Sequence, residues 1–217
     1  MQITHSNRFP GLSRRLFFRA AAVSTLAVSP AAKAADPLPN VLGPMPGYSP
    51  QIGTLVSEMT WMREGVRRTV KGLTQEQLDF LLDNKANRIG ALLLHLAATE
   101  TLYQLNTFNR VAPSDLEKNP AFRDWGVPME LGEPARRSIK GHDLNYYLNI
   151  LAEIREKSLT EFRKRDDDWL LAVDKTWSWG PTNNLCKLFH VCEHESHHAR
   201  QIAMIKSRLP GAKPENG

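Results

Sequence analysis

Four segments with apolar residues three and four apart, no alternating strand pattern and no internal repeat predict an all-α protein, a four-helix bundle. The chain of 217 residues is long enough for one domain with a hydrophobic core. Two of the four segments carry histidine within their apolar pattern. The predicted bundle therefore holds groups in its interior that can bind a ligand.

Residues 1–34 read as a leader. They contain Arg8, Arg14, Arg15, Arg19 and Lys33 and no acid. Ser13-Arg14-Arg15-Leu16-Phe17-Phe18-Arg19 resembles the bacterial twin-arginine export signal, and Ala32-Lys33-Ala34 offers an A-x-A-like site for cleavage before Ala35. The apolar stretch between them is too short and too rich in Ala and Ser to span a membrane. The leader implies a periplasmic or otherwise exported protein, off the membrane once the leader is removed. It also holds the charge imbalance. The formal net charge is +5, but residues 35–217 carry 23 basic and 23 acidic side chains, so charge gives no support to nucleic-acid binding.

Residues 35–50 contain five prolines and two glycines and read as an extended linker. The bundle is expected over 51–209. Its first helix carries the stripe Ile52, Leu55, Met59, Met62, Val66, Val70, Leu73. Thr74 and Gln77 form a capping-box start for a short helix. The second long helix, 88–108, is apolar nearly all round from Leu92 to Ala98, with His95 inside that run, and is expected to be deeply buried.

Residues 111–140 hold Pro113, Pro120, Pro128 and Pro134 and read as an irregular lid, crossover or disordered segment. A link of that length lets the second and third helices run parallel, while neighbours on shorter links run antiparallel. The third helix spans 143–166, with Leu144, Leu148, Leu151, Ser158 and Phe162 on one stripe. A turn-rich connector with Trp169, Trp177 and Trp179 leads to the fourth helix. That helix starts near Thr182 or Asn183 and runs to Leu209, where Pro210-Gly211 stops it. Its stripe is Leu188, Val191, His198, Ile202, Ile205, Leu209, and residues 210–217 form a tail. Cys186 and Cys192 stand six apart on this helix, about 9 Å of rise, too far to bridge. Both read as small buried side chains.

Four histidines crowd into nine residues: His190, His194, His197 and His198. His194 and His198 are one turn apart on a single face, so two imidazoles can meet one ion. His95 is the third candidate, from a different helix. Three buried imidazoles without partners would cost several kcal/mol. A shared divalent metal removes that cost, and a polar core network is the alternative. His197 is turned by about 100° from His198, toward solvent or a neighbouring helix. His190 is a reserve ligand or a histidine at the rim. Glu100 is an acceptor for an imidazole N–H or a surface acid.

His194-Glu195-Ser196-His197-His198 also fits H-E-x-x-H, the zinc signature of many metallopeptidases. The rest of that signature is missing. No Gly and no His follows His198 through Met204, and the one later acid is Glu215. Glu195 shares the face of Leu188 and Ile202.

Asn87 to Glu100 ("NRIGALLLHLAATE") and Leu185 to Ile202 ("LCKLFHVCEHESHHARQI") resemble the two signature segments of the DinB/YfiT-like proteins. That family's motif ends H-x-x-H-H-R-G-Q-[IL]; here Ala199-Arg200 replaces the Arg-Gly pair and leaves the ligand positions intact. The resemblance covers about residues 50–209. It implies a four-helix bundle, often a homodimer, with a metal site of His95, His194 and His198 that takes Zn or Ni. It further implies a small-molecule substrate, with a low-molecular-weight thiol transferred or hydrolytic chemistry at the metal. A non-catalytic metal-binding or stress-response role is the alternative, and the metallopeptidase a third.

Overall fold

The computed structural model describes residues 40–212. The predicted leader, the first part of the linker and residues 213–217 lie outside the described residues. Four long helices, α1 (Pro50–Val70), α3 (Ile89–Thr107), α6 (Leu144–Phe162) and α8 (Asn184–Lys206), form the predicted bundle. Four short helices join them: α2 (Gln75–Leu78), α4 (Gly126–Glu130), α5 (Gly132–Ser138) and α7 (Asp167–Leu171). No helix among the described residues is long and apolar enough to cross a membrane.

Local chemistry sets the helix starts. Pro50 opens α1, where its missing N–H costs nothing. The side chains of Thr74 and Gln77 make the reciprocal capping box of α2. Asp143, Asp166 and Asn183 accept from backbone N–H groups at the starts of α6, α7 and α8. In α3 every residue except Leu102 and Gln104 is buried, as an all-round apolar helix requires.

Hydrogen bonds reveal the helix directions. Asp167, just past α6, accepts from Ser49 and Gln51 at the start of α1, so α1 and α6 run antiparallel. Lys206 at the end of α8 donates to the Thr69 carbonyl near the end of α1, so these two are parallel. Gln104 of α3 donates to the Ile154 carbonyl of α6, and Gly90 lies against Tyr147, so α3 and α6 run parallel. The long connection between them makes this possible. Residues 111–140 are not the irregular loop expected from the sequence. They form two 3-10 turns, Pro113–Asp115 and Pro120–Trp125, followed by α4 and α5. Leu116, Phe122, Ala135 and Ile139 of this crossover are buried in the core. α4 and α5 are joined at Leu131, whose φ of 59° strains a residue with a β-carbon, and at Gly132, which takes such a φ freely.

Two further departures are small. The Trp-rich connector contains an antiparallel pair of two-residue strands, β1 (Val173–Asp174) and β2 (Thr182–Asn183). Both cysteines are free, but only Cys192 is buried, and Cys186 is exposed.

The apolar core falls into two clusters. One gathers Val66, Leu93, Ile154 and Ile202; the other gathers Ile52, Met59, Phe162 and Leu188. Each such side chain contributes about 1.5–3 kcal/mol of burial. Close backbone approach between α3 and α6 depends on Gly90, where an added Cβ would stand 2.5 Å from Tyr147 Oη. Tyr147 is fully buried and cannot swing away. Gly90→Ala is therefore expected to destabilise the fold by about 1–3 kcal/mol through overpacking. Urea unfolding checks this, and an unchanged midpoint would show that the two helices separate without cost.

Candidate metal centre

His95 projects from the buried helix α3, and His194 and His198 from one face of α8. Antiparallel packing of α3 on α8 brings them together. His194 Nε2 lies 2.8 Å from His95 Nε2 and 3.1 Å from His198 Nε2. One ring nitrogen from each of the three lies within 4.8 Å of the other two.

The opposite edges of the rings decide the tautomers. His95 Nδ1 lies 2.9 Å from the Pro128 carbonyl of α4, which can only accept, so Nδ1 carries the hydrogen. His198 Nδ1 lies 2.7 Å from Gln201 Oε1 and donates to it in the same way, while the other end of that amide meets His197 Nε2 at 3.0 Å. Both rings therefore turn an Nε2 lone pair inward. With its hydrogen on Nε2, His194 satisfies one of the two and leaves the other unpaired; with its hydrogen on Nδ1, it adds a third lone pair. Three facing lone pairs repel unless a cation sits between them. Ligands at Zn–N distances of about 2.0–2.1 Å around a tetrahedral ion stand about 3.3 Å apart, close to the separations found. Hydrogen bonds on the outer nitrogens are the usual orienting device of metal-bound imidazoles. These residues fit a divalent ion.

Electrostatics agree. Burial, and then the neighbouring imidazoles of His198 and His95, hold His194 down at about 3, from an ordinary 6.5. Burial holds His198 at about 4, against the opposing pull of Gln201. Burial likewise lowers His95. All three are neutral, the state a metal requires. The sign for stability follows. The unfolded chain binds protons near pH 6.5 that the folded site refuses, so the metal-free fold loses stability as pH falls from 6.5 toward 3. Thermal melts of metal-free protein across that window check this, and melting points that stay level would contradict it.

The other sequence candidates go elsewhere. Glu100 is neither a surface acid nor a partner of an imidazole. It is buried in an ion-pair quartet with one member from each long helix: Arg63 (α1), Glu100 (α3), Arg155 (α6) and Glu195 (α8). Arg63 Nε and Arg155 Nη2 donate to Glu195 Oε1 at 2.8 and 2.9 Å. Arg63 Nη2 and Arg155 Nε donate to Glu100 at 2.9 and 2.8 Å, and Ser158 Oγ donates to it at 2.7 Å. The remaining guanidinium nitrogens reach the Leu151 and Met59 carbonyls. Burial pushes Glu100 up, but Arg155 and Arg63 outweigh it and hold the carboxyl below its usual range. Glu195 is 1 % exposed and held by two guanidiniums, so it is not available as the general base of an H-E-x-x-H peptidase. His197 is exposed, the first of the two directions that its rotation allows. His190 does not join the three imidazoles; its Nδ1 meets Tyr103 Oη at 2.8 Å. Arg63, Arg155 and Tyr103 were not singled out from the sequence.

A search of curated proteins finds no match to this chain. The mycothiol-S-transferase family model matches residues 54–211, which take in all but the first four residues of the four long helices and include all three converging histidines. The chain belongs to that DinB-like family, the mycothiol-S-transferases.

Proposed function

We propose that this protein is an exported, metal-dependent transferase that moves a low-molecular-weight thiol onto or off a small molecule. The observation that carries the reading is the inward convergence of the His95, His194 and His198 Nε2 atoms, with two of the outer nitrogens tied to Pro128 and Gln201. Three neutral imidazoles suit Zn or Ni. Such an ion, when held, supplies a Lewis-acid position that makes a thiol acidic enough to act as a nucleophile near neutral pH. The chain's own part is to keep the three rings neutral and fixed, and to hold α3 against α8 through the ion-pair quartet. The family supports a thiol as one substrate.

The test is thiol consumption. Purified protein loaded with zinc or nickel is mixed with an aromatic halide and, in turn, with mycothiol and other small thiols. The reading predicts conjugate formation that stops on chelation and returns with metal. No rate above that of free metal with any thiol would sink it.

Export is part of the proposal and rests on Arg14, Arg15 and the Ala32-Lys33-Ala34 site. Replacing both arginines with lysine should leave precursor in the cytoplasm, as fractionation and intact mass would show. Unimpaired export of that variant would remove this part alone.

A further inference from the structure

Tyr103 and His190 make a polar contact beside the three imidazoles that the metal reading does not use. Tyr103 is eight residues, two turns, beyond His95 on α3. His190 is four residues, one turn, before His194 on α8. The helices run antiparallel, so both steps lead the same way along the bundle, and Tyr103 Oη meets His190 Nδ1 at 2.8 Å. Tyr103 is 3 % exposed. Among the described residues its hydroxyl has no other hydrogen-bond partner.

A buried phenol has a proton to donate and needs an acceptor. Here the acceptor is Nδ1, so the neutral His190 ring carries its hydrogen on Nε2. That atom lies 3.5 Å from Glu193 Oε2, an environment suited to an N–H rather than a lone pair. The His190 side chain is 30 % exposed, and its ring centroid is 5.1 Å from that of His194. Trp179 approaches the same ring edge-on at 5.2 Å, and Trp177 packs on Tyr103 at 5.7 Å. The Trp-rich connector thus forms an aromatic wall on this side of the site.

We propose that His190, locked by Tyr103 as an Nε2–H donor, recognises an acceptor oxygen of the small molecule bound at the three-histidine site. The class of ligand is a thiol or electrophile with an amide or other carbonyl a few bonds from its reacting atom. One ring nitrogen of His190 lies within 4.8 Å of one of His194, so a small ligand at the three-histidine site is in reach of His190. His190 is then a binding residue and Tyr103 a positioning residue. The inference rests on the metal reading. It also assigns His190 away from a second ion. His190, Glu193 and His194 are close enough to hold one, but a protonated His190 Nε2 offers it no lone pair.

Two measurements test this. In zinc-loaded protein with ¹⁵N-labelled histidine, His190 should show a protonated Nε2 and an unprotonated Nδ1, and Tyr103→Phe should change that pattern while zinc content holds. A protonated Nδ1 in the unmodified protein would overturn the lock. In cobalt-loaded protein, the sulfur-to-cobalt absorption band is titrated with 2-mercaptoacetamide and with ethanethiol. The preference for the amide should fall about fivefold in both Tyr103→Phe and His190→Phe, the worth of one neutral hydrogen bond. Comparing each variant with the parent cancels the two thiols' different acidities. An unchanged preference in both variants, or a second cobalt equivalent lost with His190→Phe, overturns the inference and leaves the metal reading standing. Parent protein that takes up no cobalt overturns both.

Discussion

Arg155→Met should destabilise the fold by about 3–5 kcal/mol, the cost of leaving buried charge uncompensated. Arg155 donates to Glu100, to Glu195 and to the Met59 carbonyl, and both carboxylates are 1 % exposed. Burial alone would lower the Arg155 pKa, but Glu100 and then Glu195 outweigh it and raise it. Methionine keeps most of the apolar stem and removes every donor. Arg63 then faces two carboxylates alone. Replacing all four members with apolar residues of similar size should cost far less, because no charge is stranded. Denaturant unfolding of both variants separates the two cases. An Arg155→Met protein as stable as its parent would mean that water or relaxation satisfies the carboxylates, and that the quartet does not lock the bundle.

His95→Ala should lower metal affinity by roughly a hundredfold while the fold survives, because two imidazoles hold an ion poorly where three held it well. His95 is a sensitive choice. It stands about a hundred residues before the H-E-x-x-H segment, and a peptidase reading gives it no role. Metal content after dialysis, with circular dichroism and a thermal melt as controls for folding, reads the effect. Full occupancy in a folded His95→Ala protein would detach α3 from the site and leave the α8 histidines to bind alone.

The bundle was legible because its apolar stripes are long and regular. Ile52 to Val70 and Leu188 to Ile205 repeat every three or four residues, and the buried residues of α1 and α8 follow them. The site was legible for a related reason, since His95 and His198 occupy positions where the pattern demands apolar side chains. The same signal marks the quartet. Arg63 stands four after Met59, and Arg155 four after Leu151, each on a buried stripe. A lone charge there reads as a solvated interruption. Only the spatial meeting of four helices shows that the charges cancel. Glu100 reads from the sequence as a surface acid or an imidazole partner for that reason.

The segment reads as irregular because prolines break long helices, whereas Pro113, Pro120, Pro128 and Pro134 all lie in the first turns or interior of short ones, and the crossover is built from these. Its contribution to the site, the Pro128 carbonyl on His95, is a backbone atom that no side-chain motif can announce. The Tyr103–His190 contact was hidden too. It needs two antiparallel helices in a register that spacing within one helix does not encode.

X-ray absorption at the metal edge of protein loaded with one equivalent of zinc tests the central claim most directly. The account predicts three imidazole nitrogens at about 2.0–2.1 Å, completed by light-atom ligands from solvent, with the pattern reduced to two imidazoles in His95→Ala. A sulfur ligand from Cys186 or Cys192, a protein carboxylate in place of an imidazole, or a shell unchanged by the loss of His95 would contradict it.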